Sequence, residues 1–117
     1  MSLSRFIEKV KNNEPVSFQD TIAVINEHYD YHPVEFSNGL GEECLVNLAG
    51  VNEGSCKIFA FALLHDLGKQ QTLNLFGDFY RVDVLGDPEG QGHQNIRNFI
   101  KFGREGIQFE EMPLEEK

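Results

Sequence analysis

The sequence predicts an α+β fold, a mostly helical single domain with a small antiparallel sheet. Its 117 residues are enough for one compact domain. Apolar residues recur with helical spacing in several segments, and short alternating segments next to turn residues are typical of strands. No repeat or internal linker divides the chain, so we expect residues 1–117 to form one unit. The glutamate-rich residues 110–117 are expected to form an acidic tail.

Two amphipathic helices are predicted near the amino terminus. The first covers residues 3–10 and ends before Pro15. Ser17 and Asp20 have the spacing of an amino-terminal cap followed by an acidic third helical residue, and they predict the start of the second helix. The apolar face of this second helix consists of Phe18, Ile22, Ile25 and Tyr29.

Three short segments are predicted to form the sheet. Val34–Phe36 alternates and is followed by the turn pair Asn38-Gly39, which favours a hairpin. A second strand is expected near Leu45–Leu48. Ile107–Phe109 also alternates and is expected to pair with Val34–Phe36. We interpret Tyr29–His32, which mixes aromatic and titratable side chains, as a packed turn.

The central segment Val51–Leu64 carries the most information. A polar turn leads into an almost wholly apolar helix, for which Ser55 is the predicted cap and Gly68 the predicted end. Cys56 would then lie in the first turn, at the positive end of a helix anchored in the core. Further helical pieces are expected around residues 72–76 and 79–85. A last helix should run from about His93 to a carboxyl-terminal cap at Gly103.

Composition excludes several classes of function. A formal net charge of -9 argues against nucleic acid as a partner, because phosphate binding uses clustered Lys and Arg. Cys44 and Cys56 have neither the number nor the spacing of a disulfide framework or zinc site, which indicates a reduced compartment. No apolar segment reaches membrane-spanning length, and residues 1–6 lack the apolar segment of an export signal. We therefore expect a cytoplasmic protein with no membrane partner.

Blocks of residues along nearly the whole chain resemble the HopJ type III effector family. These blocks are Asn52–Ala62, Gln71–Leu73, Phe76–Asp78 and His93–Phe99, together with Tyr29–Tyr31 and Phe36–Gly39. The resemblance implies a bacterial protein of a family named for injection into host cells, with no agreed biochemical activity. The chain departs from the family pattern at His65-Asp66 and at Arg104, where tryptophan is usual. The ordered helix predicted for residues 3–10 favours retention in the bacterial cytoplasm over type III secretion.

One hypothesis for the chemistry is a thiol enzyme. A helix amino terminus and the neighbouring Lys57 would both favour the thiolate form of Cys56, as a nucleophilic cysteine requires. His93 could act as the base, with Asn95 or Asp87 orienting it. The alternative is a buried structural cysteine, because Cys56 shares its helical face with apolar residues.

A second hypothesis is a metal-dependent phosphohydrolase. The segment Leu63–Lys69 resembles the HD motif, in which an adjacent His and Asp, here His65 and Asp66, bind one divalent metal that activates water. The remaining ligands would come from His28 or His32 and from Asp78 or Asp83. The alternative is an ordinary helix end, where His65 complements the helix dipole and Gly68 follows as a cap.

We favour a third hypothesis, a binding module without enzymatic activity or cofactor. Two helix starts carry most of the candidate ligand-binding residues, and helix amino termini bind anions. These residues are Asn52, Glu53, Ser55, Lys57, His93, Asn95 and Arg97. We expect them to form one polar cleft, which Arg81 could help to close. The expected ligand is a segment of a host or bacterial protein, or a small anion, and the oligomeric state stays open.

Overall fold

The computed structural model describes residues 2–117, and within this range it confirms the α+β fold. The α-helices are α1 (Leu3–Lys11), α2 (Phe18–His28), α3 (Glu53–Leu64), α4 (Lys69–Asn74) and α5 (Gln94–Phe102). A π-helical segment covers Phe79–Val84, and 3-10 turns cover Gly41–Glu43 and Gly103–Gly106. The strands are β1 (Tyr29–Tyr31), β2 (Phe36–Asn38), β3 (Leu45–Asn47), β4 (Ile107–Phe109) and β5 (Leu114–Glu116).

The larger sheet has three antiparallel strands in the order β3-β2-β4. The expected pairing of β4 is confirmed, with Phe36 opposite Phe109 and Asn38 opposite Ile107. The strand itself lies two residues later than the sequence predicts. Asn38 is therefore paired inside the sheet and is not a hairpin turn residue, and a longer loop at 39–44 leads into β3.

The acidic residues at the end of the chain contribute a second, two-stranded sheet. β5 pairs antiparallel with β1, so that Tyr31 lies opposite Leu114. Leu114 is buried, whereas Glu115 and Glu116 are exposed. Most of the predicted packed turn is thus a strand, Tyr29–Tyr31, and backbone pairing with the buried residues Pro113 and Leu114 holds the acidic segment against it.

Helix α3 forms the centre of the core. Its sequence is apolar on nearly every side, and a helix of that kind is stable in water only when protein surrounds it. Phe59 packs against the rings of Phe36, Phe76 and Phe99, with centroid distances of 6.1, 5.5 and 5.0 Å. Phe61 is also fully buried. Among residues 2–117, no helix combines the length and apolar character needed to cross a membrane.

The observed amino-terminal cap agrees with the prediction for α2 and differs from it for α3. The Ser17 hydroxyl accepts a hydrogen bond from the backbone N–H of Asp20 at 3.0 Å, which confirms the predicted cap. The predicted cap at Ser55 is wrong, because α3 begins earlier and Ser55 lies inside it. Asn52 is the cap residue, in a left-handed conformation with φ 54°, and its side chain makes no capping bond. This side chain is engaged elsewhere, as described below.

Of the two predicted carboxyl-terminal helix ends, the structure confirms one and contradicts the other. Gly103 follows α5 with φ +66°, a conformation that glycine adopts without steric cost, as predicted. Gly68 does not end α3. That helix stops at Leu64, and Gly68 instead precedes the first residue of α4, where its backbone N–H donates to the side chain of Gln71 at 2.9 Å.

Candidate functional site

A cavity of about 530 Å³ lies where the amino-terminal ends of α3 and α5 meet strand β3. Its polar lining includes Asn47, Asn52, Ser55, His93, Gln94 and Asn95. Its apolar lining includes Phe18, Val46, Val51, Phe76 and Phe79. Within the described part of the chain, no Lys, Arg, Asp or Glu lines this cavity. The site is therefore uncharged apart from one histidine.

A network of asparagine side chains forms one wall of the cavity. Asn95 Nδ2 donates to Asn47 Oδ1 at 2.9 Å, and Asn47 Nδ2 donates back to Asn95 Oδ1 at 3.1 Å. Asn38 Nδ2 donates to the backbone carbonyl oxygen of Asn95 at 2.8 Å, and Asn52 Nδ2 donates to Asn47 Oδ1 at 2.7 Å. A carboxamide both donates and accepts, so two of them can satisfy each other when buried. Asn38, Asn47 and Asn95 are all buried.

This network connects four separate segments of the chain. It joins β2 through Asn38, β3 through Asn47, the start of α3 through Asn52 and the start of α5 through Asn95. Asn98, one helical turn further on, donates to the backbone carbonyl oxygen of Asn38 at 3.0 Å. Among these buried carboxamides, Asn38 Oδ1 lacks a hydrogen-bond partner, whereas both polar atoms of Asn47 and of Asn95 are bonded. Mutual bonds of this kind between buried groups restrict the site to few arrangements. The cavity wall is consequently held in place before any ligand arrives.

Aromatic rings form the opposite wall. The rings of Phe18 and Phe79 meet edge to face at 4.9 Å, and the His93 ring lies 5.1 Å from that of Phe79. His93 Nε2 is 3.2 Å from Asp83 Oδ2, which fixes the orientation of the imidazole. A Cβ atom on Gly54 would lie 2.8 Å from the Phe18 ring, so only glycine leaves room for that ring. The cavity thus combines carboxamides with aromatic surface.

The structure brings together four of the seven predicted ligand-binding residues. Asn52, Ser55, His93 and Asn95 line the cavity. Glu53 and Lys57 are four positions apart and share one face of α3, which points away from the face of Asn52 and Ser55. The single continuous cleft expected from the sequence is thus only partly present.

The basic candidates are engaged outside the cavity. Lys57 Nζ donates to Asn26 Oδ1 at 3.0 Å and lies 4.7 Å from the centre of the Tyr31 ring. Arg97 donates to the backbone carbonyl oxygens of Gly92 and Asp87 at 2.6 and 2.7 Å, where it closes the turn before α5. Neither side chain can therefore neutralise an anion in the cavity as the structure stands.

Cys56 is a buried side chain with 1% exposure, and it does not line the cavity that His93 lines. Burial raises the pKa of its thiol to about 11, and the carboxylate of Glu53 adds to this effect. The nearby Lys57 acts in the opposite direction and more weakly. The predicted thiolate is therefore wrong, because desolvation outweighs the helix terminus and the neighbouring ammonium group. The Cys56–His93 pair is not assembled.

We predict that native Cys56 reacts with the disulfide reagent DTNB more than about a hundredfold more slowly than in the urea-unfolded chain at neutral pH. The raised pKa leaves little thiolate, and burial blocks access. The measurement uses the Cys44→Ser variant, in which Cys56 is the remaining thiol. Fast labelling of this variant without denaturant would contradict the assignment of a structural cysteine.

His65 and Asp66 have partners of other kinds than a metal. His65 Nε2 lies 2.5 Å from the Tyr29 hydroxyl, and burial lowers the pKa of His65, with Lys11 acting in the same direction. Asp66 is exposed and accepts a hydrogen bond from Arg104 at 2.6 Å, which lowers the pKa of its carboxyl group. Within residues 2–117, no three potential His, Cys, Asp or Glu ligands converge. The geometry does not support the phosphohydrolase alternative.

The remaining candidate ligands of that site are dispersed. Asp83 pairs with His93, and Asp78 lies 3.5 Å from Arg81. His32 lies 3.8 Å from Glu111, near the end of the chain. A segment of seven residues resembles the HD motif, but within residues 2–117 the other candidate ligands do not converge on it.

Sequence reasoning missed Asn47, which lines the cavity, and Asn38, which does not line it but donates to Asn95. Asn38 stands before glycine and has the local pattern of a turn, and Asn47 ends a short strand. The only usable indication was that asparagine is uncommon within strands and therefore has a particular reason to be there. Their partner Asn95 is 57 and 48 positions away, and no local pattern identifies such a pair.

Comparison with known proteins agrees with the resemblance noted above. The family model described as HopJ type III effector protein matches residues 3–114. The crystal structure of the unknown function protein VPA0580 is similar to this one, with a TM-score of 0.93 and 49% sequence identity. The match covers 100% of this chain and 95% of that chain. No significant match is found among curated proteins. The chain belongs to the HopJ type III effector family.

Proposed function

We propose that the protein is a small binding module that recognises a neutral polar group with a flat face in the cavity between α3, α5 and β3. The observation that carries this proposal is the lining of the cavity. It combines carboxamides with aromatic rings, and within the described part of the chain it includes no Lys, Arg, Asp or Glu. Binding sites typically combine apolar surface with a few polar groups that fix orientation. The cavity has both.

The lining favours a neutral ligand over the small anion that the sequence also left open. The helix starts offer N–H donors, but an anion is bound more strongly where a Lys or Arg side chain also faces it. Lys57 and Arg97 have partners outside the cavity, and Arg81 donates to the backbone carbonyl oxygen of Val16 at 2.9 Å. The net charge of -9 further opposes the approach of an anion.

The side chains at the mouth suit a ligand such as a carboxamide or a hydroxyl-bearing ring. Asn52, Ser55 and Gln94 can each donate and accept hydrogen bonds. The rings of Phe79 and His93 supply flat surface against which a planar group packs well. Because the asparagine network already orders its wall, binding costs little conformational entropy there.

Family membership extends this proposal to a biological setting. We propose that the cavity recognises a protein in the host or in the bacterium, and that type III secretion would deliver the module in the first case. No catalytic step is part of this proposal. Recognition alone is the expected activity, since the nucleophile and metal constellations considered from the sequence are not assembled.

The test is an NMR titration of the isotope-labelled protein with benzamide, a neutral flat carboxamide, and separately with inorganic phosphate. Benzamide is expected to bind with about millimolar affinity, the usual strength for a ligand of this size, and to shift the amide signals of Asn52, Ser55 and Asn95. Phosphate is expected to leave them unchanged. The reverse result would refute a neutral ligand.

A matched pair of variants shows whether the cavity is responsible. Val51 is about half exposed at the cavity rim, so Val51→Trp should fill the opening and abolish the benzamide shifts. Val82 is similarly exposed but does not line the cavity, so Val82→Trp should leave them intact. Equal loss in both variants would mean that benzamide binds without using this cavity.

A further inference from the structure

Strand β3 is a free sheet edge that runs beside the cavity. β2 is its hydrogen-bonded neighbour, and the order β3-β2-β4 leaves its other side without a strand among residues 2–117. All three residues of β3, Leu45–Asn47, line the cavity. An unpaired edge presents backbone N–H and C=O groups that can pair with an incoming chain.

The same edge carries a group of exposed apolar side chains. Val46 is 63% exposed, Leu48 61% and Val51 49%, and all lie on β3 or within the turn that follows it. Single exposed apolar residues are common, but a contiguous group beside a cavity is typical of a surface that contacts another molecule. This surface, β3 with residues 48–51, is called the β3 rim below.

The charged residues around the β3 rim indicate which kind of molecule binds there. No Lys or Arg occurs between Lys11 and Lys57, a stretch that contains the whole β3 rim. Glu42 lies shortly before β3 and Glu53 follows the rim at the start of α3, and both are exposed. Glu43 is also exposed, but it is paired with Lys101. A second copy of this chain would bring the same acidic surface and the same net charge of -9, which opposes self-association. A basic partner would be attracted to it.

We propose that the ligand is an extended, basic segment of a partner protein that adds as a strand to β3 and inserts one neutral polar or aromatic side chain into the cavity. This inference rests on the proposed function, since it names the molecule that presents the group bound there. Backbone pairing with β3 would supply affinity, and the cavity would select the side chain. Apolar residues of the segment would cover Val46 and Leu48, and a Lys or Arg side chain would face Glu42.

The experiment begins with a phage-displayed library of random peptides of about twelve residues, selected on the wild-type protein. Selected peptides are then synthesised, and their binding is measured by fluorescence polarisation. We expect sequences that combine Lys or Arg with apolar residues. N-methylation of alternate peptide bonds removes the donors of one strand edge without altering the protein. Two methylated peptides are compared, one methylated at the odd-numbered peptide bonds and one at the even-numbered bonds. The peptide whose methyl groups face β3 should bind about tenfold or more weakly.

Protein variants locate the contact. Val46→Lys adds a positive charge to an exposed position on β3 and should weaken a basic peptide about tenfold or more. Leu64→Lys adds the same charge to an exposed position at the far end of α3 and should have no effect. Val51→Trp should also abolish peptide binding, because it fills the cavity beside the strand.

The outcomes separate this inference from the proposed function. If N-methylation has no effect in either methylated peptide, or if no peptide is enriched, strand addition to β3 is wrong, while benzamide binding would still support the cavity as a binding site. If benzamide also fails to bind, both proposals are wrong. A dimer detected by analytical ultracentrifugation that Val46→Lys dissociates would also overturn the inference, since the occupant of the edge would be a second copy.

Discussion

Replacement of Phe59 by alanine is expected to lower the free energy of unfolding by about 3 to 5 kcal/mol, which is the usual cost of truncating a buried phenylalanine. Phe59 is almost fully buried on α3 and packs against Phe36, Phe76 and Phe99. These rings come from β2, the segment after α4, and α5. One truncation therefore opens a void that several elements share, and no single neighbour can move to fill it. Urea denaturation followed by circular dichroism measures the loss.

The matched control is Val82→Ala, which truncates an apolar side chain that is more than half exposed. Its expected effect is within about 0.5 kcal/mol, as for surface substitutions generally. A cost for Phe59→Ala as small as that of Val82→Ala would show that the core is not organised around α3. The same data test whether unfolding is a single transition, as expected for one domain of this size.

Replacement of Asn95 by alanine is expected to cost about 2 to 3 kcal/mol of stability and to abolish benzamide binding. Asn95 exchanges two hydrogen bonds with Asn47, and its loss leaves Asn47 Nδ2 without its acceptor in a buried position. The wall of the cavity then loses the contact that joins β3 to α5. Gln94→Ala, at the exposed neighbouring position on the same helix, should change stability by less than about 0.5 kcal/mol.

The variant N95D separates the loss of a hydrogen bond from the loss of volume. It keeps the shape of the side chain and replaces the Nδ2 donor by a carboxylate oxygen that faces Asn47 Oδ1. Burial disfavours the charged form, so the pKa of the new carboxyl group is raised in the folded state. The loss of folding stability that N95D causes is then fully present well above that pKa, and it becomes smaller as the pH falls towards about 4. A penalty independent of pH would mean that this position is solvated and that the network is not buried.

Much of the architecture follows from local pattern. Apolar spacing correctly predicts α1, α2, α3 and α5, because the residues that define one helical face lie within a few positions of each other. The alternation of Ile107–Phe109 correctly predicts β4 and its pairing with β2. The strand β5 was not predicted, since Leu114 is its only buried residue and the two following glutamates have low strand propensity.

The ion pair between Asp66 and Arg104 illustrates a different limit. In the sequence, Asp66 has the local pattern of a metal ligand, and nothing near it in the chain points to Arg104. In the structure they are partners at 2.6 Å, although 38 positions separate them. The aspartate that suggested a metal ligand is thus accounted for by an exposed ion pair. Such an exposed pair contributes little to stability.

By itself, the sequence determined the fold class, the central helix and the family, together with four residues of the cavity lining. Those features depend on the order of apolar and polar residues along short stretches of chain. Only the tertiary structure decided that Cys56 is buried, that Lys57 and Arg97 lie outside the cavity, and that Asn47 lines it and Asn38 supports Asn95. The physical reason is that desolvation and hydrogen bonding depend on which distant segments surround a side chain, and neighbours in the sequence do not specify those segments.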